Sequence, residues 1–203
     1  MKLNLGCGSQ VINGWINVDY ALGARLAKLP LFRKVNKLIK IFNLDWDNRI
    51  FIHNLTKPFP WQDCSVDIVY CSHTLEHFSR EDGVRFLNEC HRVLKKDGII
   101  RIIVPDFRYF VYEYLKGNLK ANFFLEVIGI GSMDDKSFKG ILASLIKFPH
   151  KCMYDAIILL EILSGIGFNV EERKPFDSAI EDIMQIELEE RTVNAVIVEG
   201  KKC

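Results

Sequence analysis

Leu3-Asn4-Leu5-Gly6-Cys7-Gly8 is the stretch on which the reading of this chain turns. Apolar residues in strand-like alternation run directly into a Gly-x-Gly turn, the device by which a parallel sheet brings bare backbone up against a ligand. Taken alone, such a pair is also an ordinary tight turn between a strand and a helix. It gains meaning from its companions, because three further short β patterns end in polar residues. These are Asp19, Asn54, and the run Cys71-Ser72-His73-Thr74-Leu75-Glu76-His77. In an open α/β sheet, groups placed just beyond successive strands converge on one crevice.

The spacing narrows the ligand. Only ten residues separate Gly8 from Asp19, whereas a dinucleotide fingerprint sets its acidic residue about 20 positions on, beyond a full crossover helix. A turn around Ser9–Ile12 is all that fits, which argues against a nicotinamide dehydrogenase. Asp19 at the end of Trp15-Ile16-Asn17-Val18 suits a ribose, since two carboxylate oxygens can accept from neighbouring hydroxyls, and it also suits a turn cap. Asn54 offers a donor and an acceptor to a heterocycle edge, or closes a turn on itself.

The 203 residues carry 27 basic against 26 acidic side chains, a net charge of +1. That balance supplies no bulk field to recruit nucleic acid. With 49% apolar composition the chain is long enough for one well-buried core, and a single domain over 1–203 is expected. Six cysteines without a CxxC pair, together with a strand beginning next to Met1, point to reduced thiols, no signal peptide and a cytoplasmic protein. No apolar run reaches the length of about 18 residues needed to span a bilayer. Residues 21–44 hold Arg25, Lys28, Arg33, Lys34, Lys37 and Lys40 and no acidic residue. This basic amphipathic insertion, at about 21–49, reads as a helix packed on the sheet with a solvated face, or as a lid or peripheral membrane contact.

Ser79-Arg80-Glu81-Asp82 opens a helix bearing Val84, Leu87, Cys90 and Leu94 at helical spacing, with Gly98 as its expected end. Ile99 to Val104 reads as a buried parallel strand stopped by Pro105. A helix is expected over Phe107–Lys116 and another over Ile157–Leu163. The last strands are expected at Phe168–Glu171 and Thr192–Glu199, and the region at about 107–155 has the character of a variable acceptor side.

LNLGCG, GWINVD, HNLTKPFPW, SVDIVYCSHTLEHF, ECHRVLKKDG and IRIIVPDF together resemble the class I S-adenosylmethionine-dependent methyltransferases, in particular the small type 11-like group. The resemblance implies an α/β, Rossmann-like, mostly parallel seven-stranded sheet in the order 3-2-1-4-5-7-6, with strand 7 antiparallel and helices on both faces. It also implies S-adenosylmethionine as cofactor and S-adenosylhomocysteine as product. By the same likeness Gly6, Cys7 and Gly8 pass under the methionine part, Asp19 holds the ribose, Asn54 and Leu55 flank the adenine, Ser72 and His73 line the sulfonium side, and Tyr20 is a further cofactor-binding residue. Asn54 stands where relatives usually carry aspartate. The acceptor expected from the group is a small molecule or glycan precursor.

Methyl transfer from a sulfonium is an in-line displacement that positioning alone can accelerate. If the acceptor carries a removable proton, His73 and His77 are the nearby imidazoles. The same residues match H-x-x-E-H, a zinc-peptidase signature. A methyltransferase-like module that binds without turning over is the other alternative.

Overall fold

The computed structural model describes residues 1–29, 46–122 and 149–203. Most of the basic insertion, 30–45, and the apolar stretch 123–148 lie outside these residues. The strands are β1 (Lys2–Leu5), β2 (Ile16–Asp19), β3 (Phe51–Ile52), β4 (Val66–Ser72), β5 (Leu94–Pro105), β6 (Phe168–Glu172) and β7 (Ala195–Lys202), and the first helix, α1 (Leu22–Leu26), follows β2. They form one sheet in the order β3-β2-β1-β4-β5-β7-β6. The first five are parallel, and β7 runs antiparallel between β5 and β6. This is the expected architecture and order.

Alternation along the strands builds two different faces. Leu3, Leu5, Val69, Cys71, Ile100, Ile102, Val196 and Val198 point to one side. That side is covered by α2 (Arg80–Val93) through Phe86, Leu87 and Cys90 and by α4 (Ala156–Ile166) through Leu159 and Leu163. α2 begins as expected, with the Ser79 hydroxyl accepting from the Asp82 amide at 3.1 Å. α4 ends in a left-handed cap at Gly167, φ +114°. The opposite side of the sheet carries Tyr70, Ile103 and Ile197, packed with Trp15, Ile180, Ile183 and Ile186. Here the cover is the connection from β6 to β7, which includes the short helices α5 (Ile183–Ile186) and α6 (Glu189–Thr192).

Arg101 also points to this second face, without solvent exposure. Its guanidinium donates to both oxygens of Glu187, at 2.7 and 3.0 Å, and to Glu199 at 3.1 Å. It also reaches the carbonyls of Asp177 and Lys174, at 2.9 and 3.2 Å, so one side chain ties the long connection to the sheet.

Several boundaries differ from expectation, three of them for reasons the packing shows. The helix opened by Ser79 stops at Val93 rather than near Gly98, because Leu94 is needed in the sheet, where it is fully buried and paired with Val66. Lys95–Gly98 then forms an irregular turn within β5, with Asp97 at φ +62°. β7 starts at Ala195 rather than Thr192, since Glu189–Thr192 is helical and Asn194 adopts φ +55°. Trp15 stays out of β2 and donates its indole N–H to Asp182 at 2.9 Å. No helix joins β1 to β2. The hop is held by Asn17, whose side chain bonds the Ile12 amide and carbonyl, at 3.0 and 2.9 Å, and the Asn4 side-chain amide, at 3.0 Å.

Candidate active site

β1 delivers the chain into Gly6 at φ +72°, and Gly8 follows at φ +58°. A Cβ on Gly6 would fall 2.0 Å from the Thr74 hydroxyl, so glycine there answers both a backbone and a space requirement. The amides of Gly6 and Cys7 both donate to the Val18 carbonyl, at 2.9 and 3.0 Å, folding the turn back across β2. Asp19, at the tip of that strand, meets the turn from the other side, with Oδ2 accepting from the Gly8 amide at 2.8 Å. Cys7 is buried, and burial, with the Asp19 carboxylate beside it, pushes its thiol far up. It is a packed, neutral thiol rather than a nucleophile.

A residue with no signal in the sequence completes this corner. Arg191, on α6, lies 119 positions from Ser72 and further still from Gly8. One guanidinium nitrogen would be 3.7 Å from a Cβ on Gly8. Another donates to the Ser72 carbonyl at 3.4 Å. No local motif marks this arginine, because only the antiparallel return into β7 carries α6 to the glycine turn.

Of the residues expected around the adenine and ribose, Tyr20 is 44% exposed, with the Arg25 guanidinium over its ring at 5.0 Å. The His53 amide donates to the Asp19 carbonyl at 3.2 Å, which brings the end of β3 beside Asp19. Asn54 uses its side-chain carbonyl oxygen locally, accepting from the Thr56 amide at 3.0 Å and hydroxyl at 2.9 Å. The Asn54 side-chain oxygen is thus already engaged, and its NH2 group is the part left to meet a ligand. Leu55 turns its side chain into the core. Ser72 is likewise buried.

His73 sits immediately after β4 at φ +50°. Its Nε2 faces the Arg191 carbonyl at 2.8 Å and its Nδ1 faces Glu76 Oε1 at 3.3 Å. Burial opposes charge on this ring, but the Glu76 carboxylate and the Arg191 carbonyl outweigh it and the pKa is raised. Both nitrogens thus point at acceptors, the arrangement of an imidazolium donor pair.

His77 belongs to a 3₁₀ turn, Leu75–His77, and its Nδ1 faces the Pro149 carbonyl at 3.4 Å. H-x-x-E-H therefore does not lie on an α-helix, and its two histidines do not share a helical face as the peptidase reading needs. Instead the segment after Pro149 comes to Glu76, whose carbonyl accepts from the Lys151 and Cys152 amides at 2.8 and 3.1 Å. His150 thereby stands edge to face with His77, ring centroids 4.9 Å apart. Burial pushes the His150 pKa down; the Glu76 carboxylate opposes this and the neighbouring histidines add to it. Phe107 at the start of α3 (Phe107–Leu115) donates its amide to the Tyr154 carbonyl at 2.9 Å, which joins the segment after β5 to the segment after Pro149.

A cavity of about 480 Å³ lies elsewhere, over β6 and β7 between Ile99, Val170, Glu171, Arg173 and Lys201. It is at the opposite end of β5 from His73, whose amide bonds the Ile103 carbonyl, and plays no part in this site.

A family model described as a methyltransferase domain matches residues 3–102. Among solved structures, a SAM-dependent methyltransferase from Methanosarcina mazei is similar at TM-score 0.55 and 15% identity, covering 99% of this chain and 91% of that one. The YcgJ protein of Bacillus subtilis is similar at TM-score 0.52 and 14% identity, with 99% and 91% covered. The 1,6-didemethyltoxoflavin-N1-methyltransferase of Burkholderia thailandensis, with 1,6-didemethyltoxoflavin and S-adenosylhomocysteine bound, is similar at TM-score 0.51 and 11% identity, with 99% and 70% covered. No curated protein matches the chain by sequence.

Proposed function

We propose that this chain, a class I S-adenosylmethionine-dependent methyltransferase by its domain match and sheet order, methylates a small molecule or glycan precursor. The observation that carries the cofactor site is the convergence of three groups on the Gly6–Gly8 turn, namely bare backbone from β1, the Asp19 carboxylate from β2 and the Arg191 guanidinium from α6. Each matches one part of S-adenosylmethionine. Asp19 accepts from the two ribose hydroxyls, giving up its bond to the Gly8 amide or sharing it. Arg191 takes the methionine carboxylate, a planar anion that suits a guanidinium fork. Gly6 and Gly8 leave room for the chain between them. Asn54 presents its NH2 group to a ring-nitrogen acceptor of the adenine, the opposite polarity from the aspartate of relatives. Tyr20 and the backbone of Leu55 lie along the base, and Cys7, Ser72 and His73 close the sulfonium side.

When bound, this cofactor supplies an electrophilic methyl group on sulfur. What the chain contributes is alignment and exclusion of water. His73, held between Arg191 and Glu76, is a positioning residue that fixes the end of β4 against α6 rather than a base with a vacant lone pair. His77 lies four residues further along, on the acceptor side, and proton removal from a hydroxyl or amine acceptor falls to its neighbourhood.

We assign the acceptor side to Pro105–Tyr109 and His150–Tyr154, within one domain over 1–203. That the Burkholderia thailandensis protein holds a small heterocycle supports a small acceptor. The charge balance supports no nucleic-acid partner. The six free cysteines support a reducing, cytoplasmic setting. No helix among the described residues is long and apolar enough to cross a membrane.

Calorimetric titration with S-adenosylmethionine and with S-adenosylhomocysteine tests the reading. One saturable site for each is expected. A folded sample that binds neither overturns it, and tight binding without turnover on any acceptor favours a non-catalytic binding module.

A further inference from the structure

We propose that Glu76, His77 and His150 bind one divalent transition-metal ion beside the methyl-transfer site. One ligand atom from each residue lies within 4.8 Å of the others. Ligands about 2.0–2.2 Å from a tetrahedral ion stand about 3.3–3.6 Å apart, so side-chain rotation of about 1 Å draws the set together. The backbone is already fixed for this, because the Lys151 and Cys152 amides both bond the Glu76 carbonyl and hold His150 in place.

An independent sign of a cation is Glu76 itself. Its side chain is 2% exposed, and neither carboxylate oxygen has a hydrogen-bond partner among the described residues. His73 Nδ1 faces Oε1 at 3.3 Å as an ion pair, which leaves Oε2 as the oxygen with no such contact among the described residues. Nδ1 of His150 is buried and unpartnered among the described residues as well. Native structures rarely leave such groups unsatisfied, least of all a charged one. A cation between Glu76 and His150 satisfies both at once.

The donor set selects the ion. Two imidazoles and one carboxylate suit zinc, cobalt, iron or manganese, whereas magnesium and calcium take oxygen-rich shells. Three protein ligands leave open positions for a substrate's atoms. His77 adds an outer contact of the usual kind, with Nδ1 toward the Pro149 carbonyl, which orients its ring. In the methyl-transfer reading, on which this role alone rests, the open positions take oxygen atoms of the acceptor and lower the pKa of its hydroxyl. Glu76 is then a ligand rather than the general base of a peptidase.

The test uses the full chain, stripped with a chelator and titrated with Zn²⁺ by calorimetry and with Co²⁺ by visible absorption. One equivalent is expected, with d–d bands of a nitrogen- and oxygen-ligated cobalt, and at least a tenfold loss of affinity in Glu76→Gln and in His150→Gln. Absence of saturable binding in the wild type overturns the site. So does binding that both variants retain, as exposed Cys64 and Cys203 would give. S-adenosylhomocysteine titrated into the same samples reports the fold and the cofactor site separately. Its failure in the wild type defeats the methyl-transfer reading and leaves the metal result standing.

Discussion

Asp19 and Gly8, eleven positions apart, are joined by a 2.8 Å hydrogen bond from the Gly8 amide to carboxylate Oδ2, while Oδ1 accepts from the Ala21 amide at 2.7 Å. The carboxylate is thus oriented by backbone on both sides. Replacing it removes an acceptor and loosens the turn together.

Asp19→Ala is expected to weaken S-adenosylhomocysteine binding by about 1–3 kcal/mol, the range for leaving hydrogen-bond partners unpaired. Calorimetry on a variant shown to be folded checks this. Unchanged affinity would refute the ribose assignment.

Arg191 makes a sharper prediction, because its proposed partner can be deleted from the ligand. Arg191→Gln is expected to lower affinity for S-adenosylhomocysteine by about tenfold or more, the scale of a charge-assisted contact. Affinity for 5′-methylthioadenosine, which lacks the methionine carboxylate, should change little. Equal losses for both ligands would assign Arg191 to the fold instead.

The Arg101 network predicts a large stability effect with no local effect on the site. Arg101→Met leaves Glu187 and Glu199 buried side by side without their cation. A loss of about 3–5 kcal/mol in urea unfolding is expected, as when one member of a buried ion pair is removed. A loss below about 1 kcal/mol would mean that the connection over the second face is secured by its apolar residues alone.

Asp182 supplies a pH dependence. Its partial burial raises its pKa, but the bonds from Lys2 and Trp15, at 2.8 and 2.9 Å, outweigh this and hold it below the usual carboxylate range. A depressed folded-state pKa contributes stability that is complete above the unfolded value and fades as pH falls through the folded one. Asp182→Asn should therefore cost about 1–2 kcal/mol at neutral pH, the scale of a hydrogen bond to a charged group. The gap to the wild type should narrow in the acid limb. Thermal unfolding from neutral into acid checks the sign, and a gap that widens in acid would contradict it.

The glycine turn was legible because it depends on local signals, with Gly6 and Gly8 at a strand end and polar residues at three more, whereas the sheet order followed from the resemblance of the assembled motifs to a known family and from no single local signal. The helix opened by Ser79 was legible at its start, where the cap is a contact over three residues. Its end was not, since Leu94 obeys its pairing with Val66 rather than its helical spacing. Arg191 left no trace in its own neighbourhood, and nothing local to His150 pointed to Glu76 as its neighbour. One reaches Gly8 and the other Glu76 only through the folded sheet. His73 was legible as a site residue but not as a clamped one, because its partners lie at positions 76 and 191.

The hop from β1 to β2 without a helix has a bearing on how the molecule is made. The face a crossover helix would have covered is covered instead by Ile180, Ile183 and Ile186. Gln10 donates to the Ile186 carbonyl across 176 positions, and Trp15 to Asp182 across 167. During synthesis the first two strands emerge early and then wait, with Trp15 bare, while all the intervening chain is translated. Contacts of such separation slow folding and lengthen the time an apolar strand pair is open to wrong partners. The nascent chain is therefore most vulnerable to aggregation along its first two strands, and a chaperone that shields them until β7 forms would raise the yield of native protein.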